Sequence, residues 1–541
     1  MPMLDFKGKQ HIYAHHLTVP YRSLVRDVKR SAGNCDRDAG RDGNLIIHGD
    51  NLHALKALLP QYAGKVKCIY IDPLYNTPKD EWFYNDNVNS PLMKEWVAAN
   101  SPVDGEDLER HDKWLCMMWP RLHLLRELLS DEGVIFVSID DHEQHHLRML
   151  MDEIFGERNF FAVLTRRAMH TVRNSSKDFN RNADYVLAYA KDKSWFGEGS
   201  DRYIRLITDK SANYPHDDND GRGKYKLDPI HARNYYEPYT FTFENGTTWS
   251  APVGRHPAYS EETLGRMEKE NRIVFSGKEP RAKRYLKEVQ EGQPPDAVLL
   301  SKYVGFNASG TSELRDIFSR SGVFSQPKPT KLIKFLLNIL RSPDAIVLDS
   351  FAGSGTTAHA VLALNKEDGG NRKFILVECQ AYADTITAER VRRVIKGVPE
   401  AKDDILKEGL GGSFTYCTLG EPIDVEEMLT GKNLPEYSEL ASYLLYTASG
   451  LSVDKSEGMQ AQTDEGLFWS SDDVDYYLLY QPDIEWLRSN AALLNEGQVQ
   501  HISERGKKAV VFAAGKHMGQ RFLTDKGITF CQIPYELHRL D

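Results

Sequence analysis

Two stretches of the chain alternate short apolar runs with amphipathic segments. Residues 44–49, 66–71 and 134–139 are apolar enough to predict buried strands, and the segments after them carry apolar residues at helical spacing. The same alternation returns late in the chain, where 345–348 and 374–377 predict two more strands. Continuous apolar strands that alternate with helices are typical of a parallel sheet covered by helices on both faces.

The middle of the chain breaks this alternation. Residues 193–320 are rich in Tyr, Asn, Gly, Pro and charged residues, which predicts an inserted α+β region. We therefore expect one α/β core, a doubly wound sheet, split into a half at 44–192 and a half at 321–410. Residues 1–43 are polar and irregular and predict an N-terminal arm, and residues 411–541 are expected to form a separate acidic C-terminal domain.

Composition narrows the class of protein. Of the 541 residues, 41% are hydrophobic and 27% are charged, which excludes a mainly disordered chain. No run approaches the ~18–20 apolar residues of a membrane span, and the first residues do not resemble a secretion signal. The six cysteines are scattered without a C-x-x-C pair, which argues against a disulfide scaffold or a zinc ribbon and favours a cytoplasmic protein.

Charge is unevenly distributed along the chain. The formal net charge of -10, taken alone, argues against a nucleic-acid partner, because phosphate binding normally requires a basic surface. Residues 165–325, however, contain 26 Lys and Arg against 22 Asp and Glu, whereas residues 401–541 contain 12 against 23. A slightly basic middle is followed by an acidic tail, so the net charge does not exclude DNA as a partner of the middle region.

A glycine-rich motif follows the predicted strand at 345–348. Its sequence, Asp-Ser-Phe-Ala-Gly-Ser-Gly-Thr-Thr over residues 349–357, joins that strand to a helix. Glycines allow a tight turn and the close approach of a ligand, and the N-terminus of the helix offers free N–H groups to an anion. The next strand ends in Glu378, where a carboxylate can accept hydrogen bonds from two ribose hydroxyls. The motif predicts a nucleoside-cofactor site, with an ordinary glycine-rich turn as the alternative.

A second motif, Asp72-Pro73-Leu74-Tyr75-Asn76, directly follows the second predicted strand. The carboxyl end of a parallel sheet is where open α/β folds bind their ligands. The aspartate supplies an acceptor, the backbone adds carbonyls and the tyrosine offers a stacking face, which together suit the exocyclic amino group of an extruded base. A simple proline turn is the alternative for this motif taken alone.

Together the two motifs resemble those of the β class of S-adenosylmethionine-dependent amino-methyltransferases of DNA, in which the catalytic motif precedes the cofactor motif. The resemblance covers about residues 40–420. It is closest to the modification (Mod) subunits of type III restriction-modification systems, since the stretches 272–275 and 280–286 of the insertion are similar as well. Further similar stretches are 45–51, 182–191 and 324–329.

The resemblance implies a Rossmann-like methyltransferase core split by an inserted target-recognition domain. It implies transfer of a methyl group from S-adenosylmethionine to N6 of an adenine flipped out of duplex DNA. The implied catalytic residues are Asp72, Pro73, Leu74, Tyr75 and Asn76. The implied cofactor-binding residues are Asp50, Lys328, Asp349, Phe351, Gly353, Ser354, Gly355, Thr356, Thr357 and Glu378.

By resemblance, the adenine stacks on Tyr75 and its amino hydrogens go to the Asp72 carboxylate and the Leu74 carbonyl, so that transfer is a direct in-line displacement. Positioning and electrostatics then supply the rate without a covalent intermediate, in agreement with the lack of a cysteine in a Pro-Cys setting. Aspartate rather than serine at the start of the motif favours adenine over N4 of cytosine. The aromatic loop at 82–84 is expected either to close over the base or to pack on the core.

One departure from the family concerns Leu74, because the family usually has a proline there. The backbone carbonyl that the family uses is kept, whereas the fixed φ of proline is lost and an N–H is gained. We expect activity that is retained but weakened, with a catalytically silent variant as the alternative.

Basic residues of the insertion are expected to bind DNA by neutralising phosphates and reading base edges, although each one alone could be a solvated surface charge. They are Arg222, Lys224, Lys226, Arg233, Arg281, Lys283, Arg284 and Lys287. No metal site is expected, because His142, His145 and His146 predict a solvated helix face.

The resemblance also implies partners. Double-stranded DNA is the expected substrate, and the acidic tail is expected to fold and to contact a second copy of the chain, as a homodimer, or a restriction translocase or endonuclease subunit. The system would be of the type III kind, in restriction-modification or phage defence. Two functions are alternatives: a solitary DNA adenine methyltransferase without a nuclease partner, and a cofactor-dependent DNA-recognition subunit with weakened catalysis.

Overall fold

The structure, a computed structural model, describes the chain except for residues 1–2, 34–42, 78–109, 171–178, 198–203, 207–212, 276, 278, 289–291, 424, 454–458 and 534–541. The chain divides into two compact units. The first consists of Met1–Tyr203 and Asp296–Asp541, and the second of Ile204–Pro295.

The first unit begins with two short helices and then alternates strands with helices. Its elements up to the second unit are α1 (Lys9–Ile12), α2 (His15–Thr18), β1 (Arg22–Ala32), β2 (Leu45–His48), α3 (Asn51–Tyr62), β3 (Val66–Ile71), α4 (Arg110–Leu128), β4 (Leu129–Ile139), α5 (Gln144–Met151), β5 (Phe160–Arg167) and β6 (Ala183–Ala190).

The second unit is built mainly from short antiparallel strands around a small apolar core that includes Trp249, Leu264 and Ile273. Its three-stranded sheet has the order β12 (Ile273–Val274), β13 (Arg281–Tyr285) and β7 (Tyr225–Pro229). Its elements are β7 (Tyr225–Pro229), β8 (His231–Ala232), β9 (Thr240–Thr242), β10 (Thr248–Ser250), β11 (His256–Pro257), α6 (Glu261–Lys269), β12 (Ile273–Val274) and β13 (Arg281–Tyr285).

The first unit then resumes and completes its main sheet. The elements are β14 (Val298–Leu299), α7 (Ser301–Val304), α8 (Asn307–Phe318), α9 (Thr330–Leu340), β15 (Ile346–Asp349), α10 (Thr356–Asp368), β16 (Lys373–Glu378), α11 (Glu389–Lys396), α12 (Asp404–Glu408) and β17 (Phe414–Pro422). Because β14 pairs with β5 in the main sheet, the inserted unit ends before β14. The predicted insertion, 193–320, therefore starts too early and ends too late, since the second unit is Ile204–Pro295.

Ten strands form one mixed sheet in the order β1-β17-β2-β16-β15-β3-β4-β6-β5-β14. The six neighbouring strands from β17 to β4 are parallel, and β6 runs antiparallel between β4 and β5. The predicted α/β sheet is confirmed, although it is mixed rather than wholly parallel. Because the parallel strands share one carboxyl edge, the segments after β2, β3, β15 and β16 meet there.

Helices α3 and α4 pack on this sheet through apolar side chains. Leu55 and Leu58 of α3, Trp114 and Leu122 of α4, and Ile69 of β3 are all fully buried in one cluster. Each such side chain contributes about 1.5–3 kcal/mol on burial. The helical spacing of these residues in the sequence therefore fixes which face of each helix meets the sheet.

The predicted N-terminal arm and the predicted start of the tail at 411 are both wrong. Residues Arg22–Ala32 form the edge strand β1, which pairs antiparallel with β17, and β17 lies beside β2 in the main sheet. An edge strand is half exposed, so the sequence of β1 is mostly polar and lacks the apolar run of a buried strand.

The rest of the tail belongs to the first unit rather than to a separate domain. The Tyr446 hydroxyl donates to Glu127 at 2.6 Å, and Val453 N donates to the carbonyl of Pro60 at 3.0 Å. The tail has its own apolar clusters, around a four-stranded sheet in the order β18 (Leu467–Ser470), β19 (Val474–Leu478), β21 (Lys508–Ala513) and β23 (Ile528–Gln532). The elements are α13 (Val425–Thr430), α14 (Tyr437–Ser449), β18 (Leu467–Ser470), β19 (Val474–Leu478), α15 (Ile484–Leu487), β20 (Leu493–Leu494), α16 (Glu496–Glu504), β21 (Lys508–Ala513), β22 (Gly515–Lys516), α17 (Gln520–Asp525) and β23 (Ile528–Gln532).

In the part of the chain that the structure describes, no helix combines the length and the apolar character that crossing a membrane requires.

Candidate active site

A cavity of about 230 Å³ opens at the carboxyl ends of β3, β15 and β16. Both sequence motifs contribute to it, with Asp72 and Leu74 on one side and the loop at 349–357 on the other. The strands are adjacent and parallel, so the motifs meet although they are far apart in the sequence. The rings of Phe324 and Tyr382, whose centroids are 5.4 Å apart, add an aromatic wall.

The loop between β15 and α10 turns sharply at two glycines. Gly353 has a φ of 51° and Gly355 a φ of 77°, in the left-handed region that favours glycine. A Cβ on Gly355 would lie 2.9 Å from the carbonyl oxygen of Thr387, and one on Gly353 would lie 3.2 Å from the ring of Phe324. Gly355 is therefore required by packing as well as by backbone conformation, and Gly353 mainly by backbone conformation, and the turn brings Thr356 at the start of α10 to the cavity.

Asp349 ends β15 and is buried at the base of this loop. Its carboxylate accepts hydrogen bonds from Phe351 N at 3.1 Å and from the Thr357 hydroxyl at 2.5 Å. Burial, with smaller contributions from the nearby Asp72 and Glu378 carboxylates, raises the pKa of Asp349 to about 7, although the hydrogen bonds from Thr357 and Phe351 oppose this rise. Asp349 is thus a cavity group whose charge changes near neutral pH.

Glu378 ends β16 and is buried as well. One of its oxygens accepts from Gly353 N at 2.8 Å and the other from Gln380 N at 3.0 Å, and the Tyr382 hydroxyl is a further partner. Burial raises the pKa of Glu378 above its usual range. The residue ties the glycine loop to the end of β16 and places a carboxylate at the wall of the cavity.

Asp72 and Lys328 form an ion pair at the opposite wall. The Lys328 ammonium donates to both carboxylate oxygens of Asp72, at 2.8 and 2.7 Å, and lies 4.8 Å from the centroid of the Tyr75 ring. Burial, and then the negative charge of Asp72, raise the pKa of the Tyr75 hydroxyl well above its usual range. A carboxylate, an aromatic face and an ammonium are thus brought together after β3.

Leu74 exposes a backbone carbonyl that already has one partner. The indole N–H of Trp114 donates to this oxygen at 2.8 Å. A carbonyl oxygen has two lone pairs, so it can accept one more hydrogen bond. This contact with α4 holds the backbone of Leu74 in place. The methyltransferases that the motif resembles usually have a proline at this position instead.

Asn76 is held by a buried network behind the loop. It has a φ of 58°, its side-chain amide donates to Glu143, and its Oδ1 accepts from Arg110 Nε at 2.7 Å. The carboxylate of Glu143 is fully buried and also meets Nδ1 of His111 at 2.6 Å and Nδ1 of His146 at 2.9 Å. The network anchors the C-terminal end of the Asp72 loop on the segment after β4.

The expectation that His146 lies on a solvated helix face is therefore wrong. His111, Glu143 and His146 place ligand atoms within 4.8 Å of one another, and His and Glu are donors that a transition metal accepts. The Glu143 carboxylate is, however, already hydrogen-bonded to Asn76 and to both imidazoles. The arrangement is complete as a hydrogen-bonded network.

A fully buried arginine, Arg390 of α11, supports the glycine loop from below. Its guanidinium donates to the hydroxyls of Ser354 at 3.0 Å, Thr356 at 2.8 Å and Thr330 at 3.2 Å. The carboxylate of Glu313 lies 3.5 Å away. Burial lowers the pKa of Arg390 to about 10, so it stays cationic at neutral pH.

Not every predicted site residue reaches the cavity. Asp50 instead begins α3, where its carboxylate accepts from Leu52 N at 2.8 Å and lies 3.4 Å from Arg121, so its expected place in the cofactor site is not supported. Gly355 acts through the turn and not as a lining residue. Pro73, Tyr75 and Asn76 flank the cavity, and the aromatic loop at 82–84 lies outside the described residues.

The basic residues of the second unit fall into different classes. Lys226 and Arg284 are direct partners across β7 and β13 and share Asp228, at 3.1 and 3.5 Å. Lys283 is buried and paired with Asp218 at 2.5 Å, so its predicted DNA contact is not supported. Arg222 is half-buried and paired with Asp220. The exposed members of the set are Lys224, Arg233, Arg281, Arg284 and Lys287.

Sequence reasoning missed the supporting residues Glu143, Trp114, Arg390 and Arg166. Arg166, near the end of β5, is fully buried; it donates to Asp184 at 3.0 Å, while its Nε and Nη1 have no partner in the described structure. The signals were weak, because a single Glu after a strand or a single Arg in a helix is normally exposed. These four residues differ from other residues of their types only in the burial of their side chains, and the fold decides that burial.

Comparison with known sequences identifies the family of the chain. The sequence profile described as DNA methylase matches residues 66–389, which is more than half of the chain. The chain therefore belongs to the DNA methylase family, whose enzymes transfer a methyl group from S-adenosylmethionine to DNA.

Individual relatives have more specific names than the family does. The chain is 32% identical over 475 residues to the type III restriction-modification enzyme StyLTI Mod subunit of Salmonella typhimurium, covering 81% of this chain and 70% of that protein. It is 28% identical over 494 residues to the EcoPI Mod subunit of Escherichia phage P1, covering 79% and 73%. The type II methyltransferase M.KpnI of Klebsiella pneumoniae is 31% identical over 358 residues, covering 62% and 80%.

Proposed function

We propose that the chain is a site-specific DNA adenine-N6 methyltransferase, the modification subunit of a type III-like restriction-modification or phage-defence system. The observation that carries this proposal is the meeting of Asp72 and Tyr75 with the loop at 349–357 and with Glu378 at one edge of the sheet. A nucleoside cofactor in the cavity lies, in this proposal, beside the groups that hold the target amino group.

The residues present fit S-adenosylmethionine. Among the described residues that line the cavity, the carboxylates of Asp72, Asp349 and Glu378 outnumber the one ammonium, that of Lys328, which suits a cationic ligand. Glu378 is placed to accept from the ribose, and Lys328 and the N-terminus of α10 suit the ligand's carboxylate. When bound, the cofactor supplies an electrophilic methyl group on a sulfonium. The other proposed contacts are Phe351, Gly353, Ser354, Thr356 and Thr357.

The Asp72 loop is proposed to hold the base. The Asp72 carboxylate accepts one hydrogen of the amino group, the free lone pair of the Leu74 carbonyl accepts the other, and the Tyr75 ring stacks on the base. These acceptors leave the nitrogen lone pair free to attack the methyl carbon. The N–C bond would form as the S–C bond breaks, the neutral thioether would leave, and the nitrogen would lose one proton to solvent, so no covalent enzyme intermediate is required. Asn76 fixes the end of the loop through Glu143.

Adenine is the proposed target rather than cytosine, and aspartate at the start of the motif supports this choice. The family includes enzymes for either amino group, so the choice rests on Asp72. The hydrogen bond from Trp114 to the Leu74 carbonyl supports retained activity, because it stabilises the backbone that proline would otherwise fix.

The second unit is proposed to read the DNA sequence. It contains 15 Lys and Arg against 14 Asp and Glu in residues 204–295, so phosphate binding there depends on local basic surfaces and not on the net charge. The exposed Arg284 opposite Lys226 on β13 and β7 forms one such surface. Arg281, Lys287, Lys224 and Arg233 are the other exposed candidates.

Partners of the protein are proposed from the relatives. Relatives named Mod subunits of type III restriction-modification enzymes support a restriction subunit, which brings translocase and endonuclease activity, as a partner. A second copy of the chain is the other proposed partner. The acidic tail, with 12 Lys and Arg against 23 Asp and Glu in residues 401–541, is better suited to protein contacts than to DNA.

Tritiated S-adenosylmethionine and mixed-sequence duplex DNA test the proposal. The wild-type protein should label DNA, and Asp72→Asn should lower the transfer rate by at least about a hundredfold, while the cofactor binds no more than about threefold more weakly than it binds to the wild type. Asp131→Asn, which changes an exposed aspartate at the amino-terminal end of β4, is the matched control and should behave as the wild type.

Two other outcomes contradict the proposal in different ways. If the wild-type protein binds the cofactor but labels no DNA, the chain is a recognition subunit with silent catalysis. If Asp72→Asn abolishes cofactor binding as well, the assignment of Asp72 to the base site is wrong.

A further inference from the structure

The ammonium of Lys328 occupies the place that the proposed function gives to the target amino group. Its Nζ lies 2.8 and 2.7 Å from the two oxygens of Asp72 and 4.8 Å from the centroid of the Tyr75 ring. An amino nitrogen bonded to Asp72 must approach the same oxygens to about 3 Å, and a stacked base must cover the same ring. The base and the Lys328 ammonium therefore exclude one another.

The backbone at Lys328 is fixed, so its side chain must make the movement. Pro327 and Pro329 flank it, and its carbonyl accepts a hydrogen bond from the Thr356 hydroxyl at 3.2 Å. A Cβ added to Gly310 of α8 would lie 2.3 Å from the carbonyl oxygen of Pro327, which shows how closely that helix packs on the segment. Release of Asp72 thus requires a rotation within the lysine side chain.

Lys328 needs a new anionic partner when it leaves Asp72. Its side chain is only 9% exposed, so an unpaired ammonium there is strongly unfavourable. The other carboxylates that line the cavity, Asp349 and Glu378, already accept hydrogen bonds from the glycine loop. Lys328 is also the one cation among the described lining residues, so a ligand carboxylate in the cavity has no other side-chain cation to pair with.

We propose that Lys328 closes the base site until a ligand carboxylate in the cofactor cavity draws its ammonium away from Asp72. Lys328 then imposes an order of binding, with the cofactor first and the base second. By linkage, the cofactor strengthens base extrusion and the extruded base strengthens cofactor binding by the same factor. This inference rests on the proposed function of Asp72 and Tyr75.

Base extrusion measured without turnover tests the inference. The probe is a duplex that carries the methylated site, as located by sequencing of modified DNA, with 2-aminopurine beside the target adenine to report its unstacking. Sinefungin supplies a carboxylate-bearing cofactor analogue, and 5′-methylthioadenosine supplies an analogue without the carboxylate. For the wild-type protein, sinefungin should raise extrusion at least about fivefold, whereas methylthioadenosine should not.

The variants separate the lysine from general effects on the fold. Lys328→Met should extrude the base without any analogue, and Lys328→Arg should keep the dependence on sinefungin. Lys331→Met, an exposed lysine at the start of α9, is the matched control and should behave as the wild type.

The inference is overturned if the wild-type protein extrudes the base equally with and without sinefungin, and this result leaves the proposed function intact. It is also overturned if methylthioadenosine is as effective as sinefungin. A wild-type protein that extrudes no base under any condition overturns the proposed function together with the inference.

Discussion

Replacing Glu143 by glutamine tests whether the buried network behind the Asp72 loop positions it for catalysis. The Glu143 carboxylate accepts hydrogen bonds from the Asn76 amide and contacts Nδ1 of His111 at 2.6 Å and of His146 at 2.9 Å. Glutamine has the same size but replaces one oxygen by an amide that only donates. The substitution therefore removes one acceptor and leaves the cavity itself unchanged.

The magnitude follows from the number of bonds lost. If the glutamine oxygen keeps Asn76 and His111, its amide faces His146, and that contact is lost or the imidazole must change its tautomer. One hydrogen bond to a charged group is worth about 1.5–3 kcal/mol, so the free energy of unfolding should fall by about that amount. Asn76, with its φ of 58°, then loses part of what holds it in an unfavourable conformation. A loosened Asp72 should lower kcat by about tenfold, which corresponds to ~1.4 kcal/mol.

Single-turnover methyl transfer, urea unfolding and calorimetric titration with sinefungin measure the three quantities separately. The expected result for Glu143→Gln is a lower kcat and lower stability with sinefungin affinity unchanged within about twofold. Glu132→Gln, at the opposite end of β4 and paired with Lys67 at 2.5 Å, is the matched control. A Glu143→Gln enzyme that is destabilised but transfers at the wild-type rate would refute the positioning role.

Three further predictions concern the glycine loop at 349–357 and the second unit. The pKa of Asp349 is raised to about 7, so its ionised fraction grows as pH rises through that value. Sinefungin affinity, measured by calorimetry, should therefore increase up to about tenfold from about pH 6 to pH 8. The same measurement on Asp349→Asn should show no such rise. Arg390→Met should weaken sinefungin binding by about tenfold with kcat at saturation little changed. Arg392→Met, which changes a half-buried arginine of α11 that pairs with Glu389, should not weaken it; equal effects would deny Arg390 a role in holding the glycine loop. Arg284→Gln should lower the slope of log DNA affinity against log salt concentration by about 1. Lys283→Met breaks a buried ion pair, so it should lower the stability of the second unit in thermal unfolding without a specific change in that slope.

The candidate site at the carboxyl edge of the sheet was predictable because its chemistry is local in the sequence. The motif at 349–357 needs glycine at two left-handed positions, and Asp72 directly follows an apolar strand, so each motif is recognisable from its own neighbours in the sequence. The parallel order of β15 and β3 then brings them together. The alternation of apolar strands and helices predicted parallel neighbouring strands, but it did not predict that β6 runs antiparallel.

The support behind the site was not predictable, because it depends on contacts between distant segments. Glu143 and Asn76 are 67 residues apart, and Lys328 and Asp72 are 256 residues apart, so no local pattern links them. The sequence of β1 does not predict a strand, because half-exposed edge strands lack apolar runs. The sequence around Lys283 does not predict its burial, because that burial is decided by the packing of β13 and not by its neighbours in the sequence.

The central claim is the identity of the methylated nucleoside, and mass spectrometry of digested DNA tests it most directly. DNA from cells that express the chain is compared with DNA from cells that express Asp72→Asn. N6-methyladenine is expected at a specific sequence in the first sample and should be absent from the second. N4-methylcytosine, or equal N6-methyladenine in both samples, would contradict the central claim.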